Sequence, residues 1–233
     1  MAEGGAFDRM LNSLGRSIVL GTVESGAALD PVALGEQFGV SRTVVREVLR
    51  ALGSKGLVDA RPRRGTTVST RSRWQMLDGD VLRWRFSHSA DVRFLDQVFD
   101  LRQAVEPLAA RRAATEHVDA DLAVLTEALR AMQSATSTEE HIVADLSFHR
   151  GVLQAAHNEL LESLGPLVEG GLRVRDRIVH AAITADAVQE HSVVVAAIGR
   201  RDGAAAEVAM RALLSRSAAD VTRAMTSPAG EQV

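Results

Sequence analysis

The stretch DPVALGEQFGVSRTVVREVLRALGSKGL, residues 30–57, decides the fold. Asp30 is a good helix cap, Pro31 suits a first helical position, and Gly39 ends the segment that they open. Val40 leads into Ser41, a second cap, which opens a helix over Arg42–Ser54 that Gly56 terminates. Two helices joined by a tight Gly-containing turn make a helix-turn-helix. Val45, Val48, Leu49 and Leu52 recur at helical spacing and can pack inward. Arg42, Thr43, Arg46 and Arg50 then lie on the other faces. The start of the second helix in such a pair is what enters the DNA major groove. A guanidinium there can bridge guanine O6 and N7 or hold a phosphate.

The pattern continues on both sides. Phe7, Met10, Leu11, Leu14, Ile18 and Val19 have helical spacing and predict a helix before the pair. After it, Leu57–Ala60 and Thr66–Ser69 read as short strands. Between them lies the basic turn Arg61-Pro62-Arg63-Arg64-Gly65, so the whole reads as a β-hairpin wing. Arg71–Trp84 reads as a joining segment with an Asp-Gly-Asp turn at 78–80.

Charge follows the same division. Residues 1–73 hold eleven Lys and Arg against seven Asp and Glu, although the chain as a whole carries −3. Within 42–73 nine basic residues face only Glu47 and Asp59. A basic stretch on an otherwise acidic chain is the footprint of a polyanion partner. A solvated charged face explains the charge equally well. It does not explain the turn, the Ser cap, the hairpin and its basic tip together.

From about residue 90 the spacing is helical throughout, over 91–116, 119–134, 138–156, 158–165, 167–184, 186–200 and 202–225. Short loops between them predict an antiparallel bundle. The fold class is therefore mainly α: an N-terminal winged helix-turn-helix (1–73), a linker (74–90), an all-α helical bundle (91–226) and a flexible tail (227–233). The chain has no Cys, and no apolar run approaches the roughly 18 residues of a membrane span. Met1–Met10 lacks a basic start followed by an apolar core, so it does not read as a signal peptide. A cytoplasmic protein is expected.

Four polar residues lie on or beside apolar stripes of the bundle. His149 lies with Ile142, Leu146 and Leu153, and Asp145 borders the same stripe one turn earlier. His191 lies with Val188, Val195 and Ile198. Arg102 lies with Leu95, Val98, Val105 and Ala109. Burying such groups is costly unless they are paired or bind something. Asp145 and His149, four apart, can chelate one divalent ion with His191 from a facing helix. An Asp–His hydrogen bond within a helix pair accounts for the same spacing. Arg102 suits the carboxylate of a small effector because a guanidinium matches it bidentately; an ion pair with Glu106 is the alternative. Asn158 can donate to effector oxygens or cap the helix that follows it. Arg150, Arg173 and Arg177 either border the pocket or are solvated.

The run Gly39-Val40-Ser41-Arg42-Thr43-Val44-Val45-Arg46-Glu47-Val48-Leu49, with Lys55-Gly56-Leu57-Val58 and Arg63-Arg64-Gly65-Thr66, resembles the GntR family of bacterial regulators. With an all-helical remainder, the chain resembles the FadR-type subfamily, whose effector half is a helical FCD domain. Arg71–Asp78 and Asp80–Trp84 are similar to regulators of sugar-acid catabolism of the galactonate or gluconate type. The resemblance implies DNA contacts at Arg42, Thr43 and Arg46, and wing contacts at Arg64, Gly65 and Thr66. Some members also use an Arg early in the second helix, where this chain has Val32. In the effector half, Asp145, Phe148, His149, Asn158, Glu190 and His191 resemble the part of the pattern in which an Asp and three His bind zinc, nickel or manganese. The third His falls within Met210–Leu214, where Leu213 stands, and leucine cannot ligate.

The function expected is a ligand-responsive repressor of a sugar-acid or related carboxylate operon. A homodimer would read a palindromic operator in double-stranded DNA, and gluconate, galactonate or a related acid would release it. The alternative is a metal-dependent helical-bundle enzyme with an accessory DNA-binding domain.

Overall fold

The computed structural model describes residues 5–61, 65–87, 91–179 and 185–226. Contacts divide the chain into Met1–His88 and Ser89–Val233, and each unit has its own apolar cluster.

In the first unit, helix α1 (Ala6–Val19) buries Met10, Leu11, Leu14 and Ile18, one apolar stripe of the expected helix. Helix α2 (Pro31–Phe38) starts where Asp30 Oδ1 accepts the Val32 amide at 2.8 Å. It stops at Gly39, whose φ of +63° is a left-handed conformation that costs glycine least. Helix α3 (Arg42–Ser54) is capped by Ser41 Oγ, which accepts the Val44 amide at 3.4 Å. Its buried stripe is Val45, Val48, Leu49 and Leu52.

The hairpin forms from β2 (Val58–Arg61) and β3 (Gly65–Val68), antiparallel, with Val58 opposite Val68 and Arg61 opposite Gly65. A strand not foreseen in the sequence, β1 (Ala28–Leu29), pairs on the far side of β3, giving the order β1-β3-β2. Two residues are too few to show an alternating pattern. The basic tip at 62–64, and with it Arg64, lies outside the described residues, as does the expected tail at 227–233.

The turn expected at 78–80 is instead the start of helix α4 (Gly79–Phe86). Asp78 Oδ1 accepts the Asp80 and Val81 amides at 2.9 and 3.1 Å, which makes it an N-cap. Residues read as a linker thus carry a helix, and its Val81 and Trp84 join the first unit's core. The Trp84 ring lies against Gly15, where a Cβ would come within 2.3 Å of it. Lys55, the sole lysine in the sequence, pairs with Asp78 and Asp80 at 3.0 and 2.7 Å and ties the end of α3 to the start of α4. Gly56 is also required: its φ is +75°, and a Cβ there would meet the Arg73 carbonyl at 2.1 Å.

The second unit is the expected helical bundle: α5 (Val92–Glu116), α6 (Asp119–Ser134), α7 (Thr138–Ala155), α8 (Glu159–Glu162), α9 (Gly165–Val179), α10 (Ala185–Gly199) and α11 (Gly203–Thr226). Helix α5 runs through Pro107, which cannot donate to the Gln103 carbonyl. Arg211 Nη1 on α11 reaches that carbonyl at 3.5 Å. Helix α7 presents Phe148, Val152 and Leu153 to the core against α5, α6 and α9. No helix among the described residues is long and apolar enough to cross a membrane.

Candidate functional site

Two sets of polar side chains stand out, one exposed on the first unit and one buried in the second. On the first unit, Arg42, Thr43, Arg46 and Arg50 are all exposed on α3, because the inward stripe is fully taken by its apolar residues. The three arginines have no hydrogen bond or ion pair to any described residue. Other basic side chains nearby are committed to the protein itself. Arg61 and Arg73 both pair with Asp59, at 2.8 and 2.9 Å, and Lys55 pairs as described above. In the wing, Gly65 is exposed and Thr66 half-buried, the latter paired with Ala60 on one side and Leu29 on the other. Val32 is exposed near the start of α2.

The second set is assembled from α5, α7, α9 and α10. Arg102, Glu106, Asp145, His149 and His191 are only 4, 1, 2, 1 and 5% exposed. Asp145 Oδ1 accepts from His191 Nε2 at 2.9 Å and lies 3.6 Å from His149 Nε2. Ligand atoms of Asp145, His149 and His191 all fall within 4.8 Å of one another. On its far side, the His149 ring donates from Nδ1 to Glu106 Oε2 at 2.5 Å. Glu106 Oε1 accepts from Arg102 Nε at 2.5 Å. Arg175 Nη1 approaches Asp145 Oδ2 at 3.4 Å. The Phe148 ring meets both imidazoles edge-on, with centroids 5.2 and 4.6 Å away.

Electrostatics hold both acids ionised. Burial pushes the Glu106 carboxyl up, but Arg102 and His149 outweigh it and hold it at about 2. Burial likewise opposes ionisation of Asp145. His149, the hydrogen bond from His191 and the Arg175 charge outweigh it and place the carboxyl far below its usual range. Burial lowers His141, one turn before Asp145, while Asp145 works the other way.

Two buried nitrogens of this cluster, His149 Nε2 and Arg102 Nη2, have no hydrogen-bond partner among the described residues, and neither has His141 Nδ1. A buried polar group left unpaired costs about 1–3 kcal/mol, so each marks a place where a ligand would be stabilising. The donor set of two imidazoles and one carboxylate fits a divalent first-row ion. An ion there would displace the His191 Nε2 proton. Leu213 is buried in the apolar cluster and offers no donor.

The structure therefore brings Arg102, Asp145, His149 and His191 into one place and leaves Asn158 to another task. Asn158 Oδ1 accepts the Leu160 and Leu161 amides at 3.0 and 3.2 Å and caps α8. Of the arginines weighed for the pocket, Arg150 is exposed and lies 3.7 Å from Glu169, and Arg173 is exposed. The Arg177 side chain lies outside the described residues. Sequence reasoning missed Arg175 and His141, and it saw Glu106 only as a partner for Arg102. His141, Asp145 and His149 recur every four residues on α7, which is the signal that could have found His141.

Comparison with known proteins agrees with this division. Residues 8–68 match the model of bacterial regulatory proteins of the gntR family, and residues 97–216 match the FCD domain. The galactonate operon transcriptional repressor of Escherichia coli strain K12 is 35% identical over 215 residues, covering 90% of this chain and 94% of that one. The transcriptional regulator YieP of the same strain is 34% identical over 212 residues, 88% and 90% of the two chains. Lar of Listeria monocytogenes superposes with a TM-score of 0.64 at 15% identity, over 96% of this chain and 99% of its own, a likeness of fold. This chain belongs to the GntR family of DNA-binding transcription regulators, with an FCD domain as its effector half.

Proposed function

We propose that this protein represses a sugar-acid or related carboxylate catabolic operon and leaves its operator when a small carboxylate binds the bundle. The observation that carries this reading is the buried cluster, in which Arg102 Nη2 and His149 Nε2 both lack a hydrogen-bond partner among the described residues. A guanidinium edge and a ligand atom, desolvated together, suit an anion bearing additional oxygen donors. The 35% identical relative named for the galactonate operon supports a sugar acid as the first class to test.

On this reading Asp145, His149 and His191 hold one divalent ion, zinc, nickel or manganese. Such an ion, when bound, supplies a Lewis-acid position for effector oxygens. Arg102 takes the effector carboxylate. Arg42, Thr43, Arg46 and Arg50 read and hold DNA, with Arg64, Gly65 and Thr66 of the wing beside them. The protein acts as a homodimer on a palindromic site in bacterial cytoplasm. The effector must bind the DNA-free state more tightly than the DNA-bound one, since only a difference in affinity can move the equilibrium. Glu106 is shared between Arg102 and His149 and is not left to act as a base on bound water, which favours a regulator over a metal-dependent enzyme.

A gel-shift assay on the DNA upstream of the protein's own operon tests this. The expected result is a specific shift that weakens steeply with salt and is reversed by galactonate, gluconate or a related acid. No specific shift at any salt would overturn the operator reading. A specific shift that no acid in the panel alters would overturn the carboxylate. Thermal-shift screening of the same acids, with and without zinc or nickel, gives an independent readout. A true effector stabilises the fold by about 2.7 kcal/mol at a hundredfold excess over its Kd.

A further inference from the structure

We propose that Glu106 is the positioning residue of the metal site: it fixes the His149 ring so that Nε2, and not Nδ1, is the nitrogen offered to the ion. The inference rests on the metal reading above. A neutral imidazole carries one proton, and the hydrogen bond at one nitrogen decides which nitrogen keeps a lone pair. Glu106 is 1% exposed and meets His149 Nδ1 at 2.5 Å. A carboxylate only accepts, so Nδ1 keeps its proton toward Glu106, and Nε2 is the nitrogen from which an ion can draw the lone pair. That nitrogen has no hydrogen-bond partner among the described residues and lies 3.6 Å from Asp145 Oδ1. A carboxylate behind a ligating His is the usual outer partner of a bound metal, and it raises the basicity of the ligand nitrogen.

The alternative is that Glu106 serves only to neutralise Arg102. Arg102 Nε occupies Oε1 alone. The second oxygen is aimed at His149, on a helix 43 residues further along the chain, and neutralising Arg102 gives no reason for that contact. Arg102 does explain how so buried a carboxylate stays charged, since breaking up a buried pair leaves an uncompensated charge.

The test is a titration of the full-length protein with zinc against a chromophoric chelator, for wild type, Glu106→Gln and His149→Ala. Cobalt(II) absorption serves as a second readout. The Gln amide can donate to Nδ1 and so move the proton to Nε2. Zinc affinity is expected to fall roughly 10–100-fold in Glu106→Gln, with the cobalt spectrum changed and the folded helical signal retained. His149→Ala should lose at least as much. Zinc binding by wild type that Glu106→Gln matches would overturn this inference and leave the metal reading standing. No zinc binding by wild type would sink the metal reading, and this inference with it. If Glu106→Gln does not fold, ring-nitrogen NMR of metal-free wild type decides: a proton on Nδ1 of His149 is expected, and an Nδ1 without a proton overturns the proposal.

Discussion

The two units treat their charges in opposite ways. On α3 three arginines are exposed and unpaired among the described residues, while in the bundle five charged or ionisable side chains are buried and bonded to one another. Water solvates the first set at no cost to folding, so their isolation is compatible with stability and leaves them available to a phosphate or base. Burial makes the second set expensive, so every partner there counts and every missing partner is informative. The same absence of a hydrogen bond thus means availability on the surface and a ligand position in the core.

Both tryptophans, Trp74 and Trp84, fall in the first unit, and the sequence has no tyrosine. Tryptophan fluorescence therefore reports the DNA-reading unit, while most of the helical circular dichroism comes from the bundle. Each prediction below can be assigned to one unit by comparing the two signals.

The largest effect is expected at Glu106→Ala, which leaves Arg102 buried without its carboxylate and His149 without its acceptor. Removing one partner of a buried ion pair costs about 3–5 kcal/mol. Denaturant unfolding followed by circular dichroism should show this loss with the fluorescence transition little changed. A loss below about 1 kcal/mol would put the pair in water and break the contrast between the units.

Arg42→Ala and Arg46→Ala should do the reverse. Each is expected to weaken specific DNA binding by about 1–3 kcal/mol if it reads a base, or to reduce the salt slope by about one if it holds a phosphate. Stability should move by less than about 0.5 kcal/mol, as for other exposed positions. A substantial fall in the fluorescence transition would show that these arginines are structural. Gly15→Ala probes the same unit from inside: its Cβ would come within 2.3 Å of the Trp84 ring. Overpacking of this kind costs about 1–3 kcal/mol, read by fluorescence.

The Lys55 clamp gives the pH dependence of the first unit. Burial raises the Asp80 carboxyl, but Lys55 and Arg83 outweigh it and hold it below its ordinary 3.8. Its stabilisation is present above that value and is lost as pH falls through the lowered one. Burial opposes the Lys55 charge, yet Asp80 and Asp78 raise it above 10.5, so its share is present below that value and is lost as pH rises past the raised one. Acid and alkaline unfolding by fluorescence should shift toward neutrality in Lys55→Met. Identical profiles for the two proteins would show the clamp to be idle.

What could be read in advance follows from range along the chain. Helices α2 and α3 are legible because Asp30, Pro31, Gly39 and Ser41 carry their own start and stop signals. Asp78-Gly79-Asp80 misleads because a residue that caps a helix also favours a turn. Only the burial of Val81 and Trp84 in the first unit's core, with the Trp84 ring against Gly15 of α1, decides between them. In the cluster, Asp145 and His149 are legible as a one-turn pair. The bond from His149 to Glu106 is not, because it joins two helices through a packing that no local pattern encodes. Leu213, where the resemblance expects a histidine, keeps the helical period and changes only the chemistry.

Asn158→Ala is expected to have the smallest effect, and it separates the two roles that its sequence context allows. Its Oδ1 already accepts two amides at the start of α8. Losing such a cap costs about 0.5–2 kcal/mol, and α8 is a four-residue helix, so the lower end is expected by circular dichroism. Zinc affinity should be unchanged, because Asn158 is not among the residues that meet around Asp145. An effector that stabilises wild type should stabilise the variant by the same increment. If the cap were incidental and the amide contacted the effector, the order would invert. Stability would hold, and the ligand-induced shift would fall. The two signals together distinguish a polar residue that serves the backbone from one that serves the pocket.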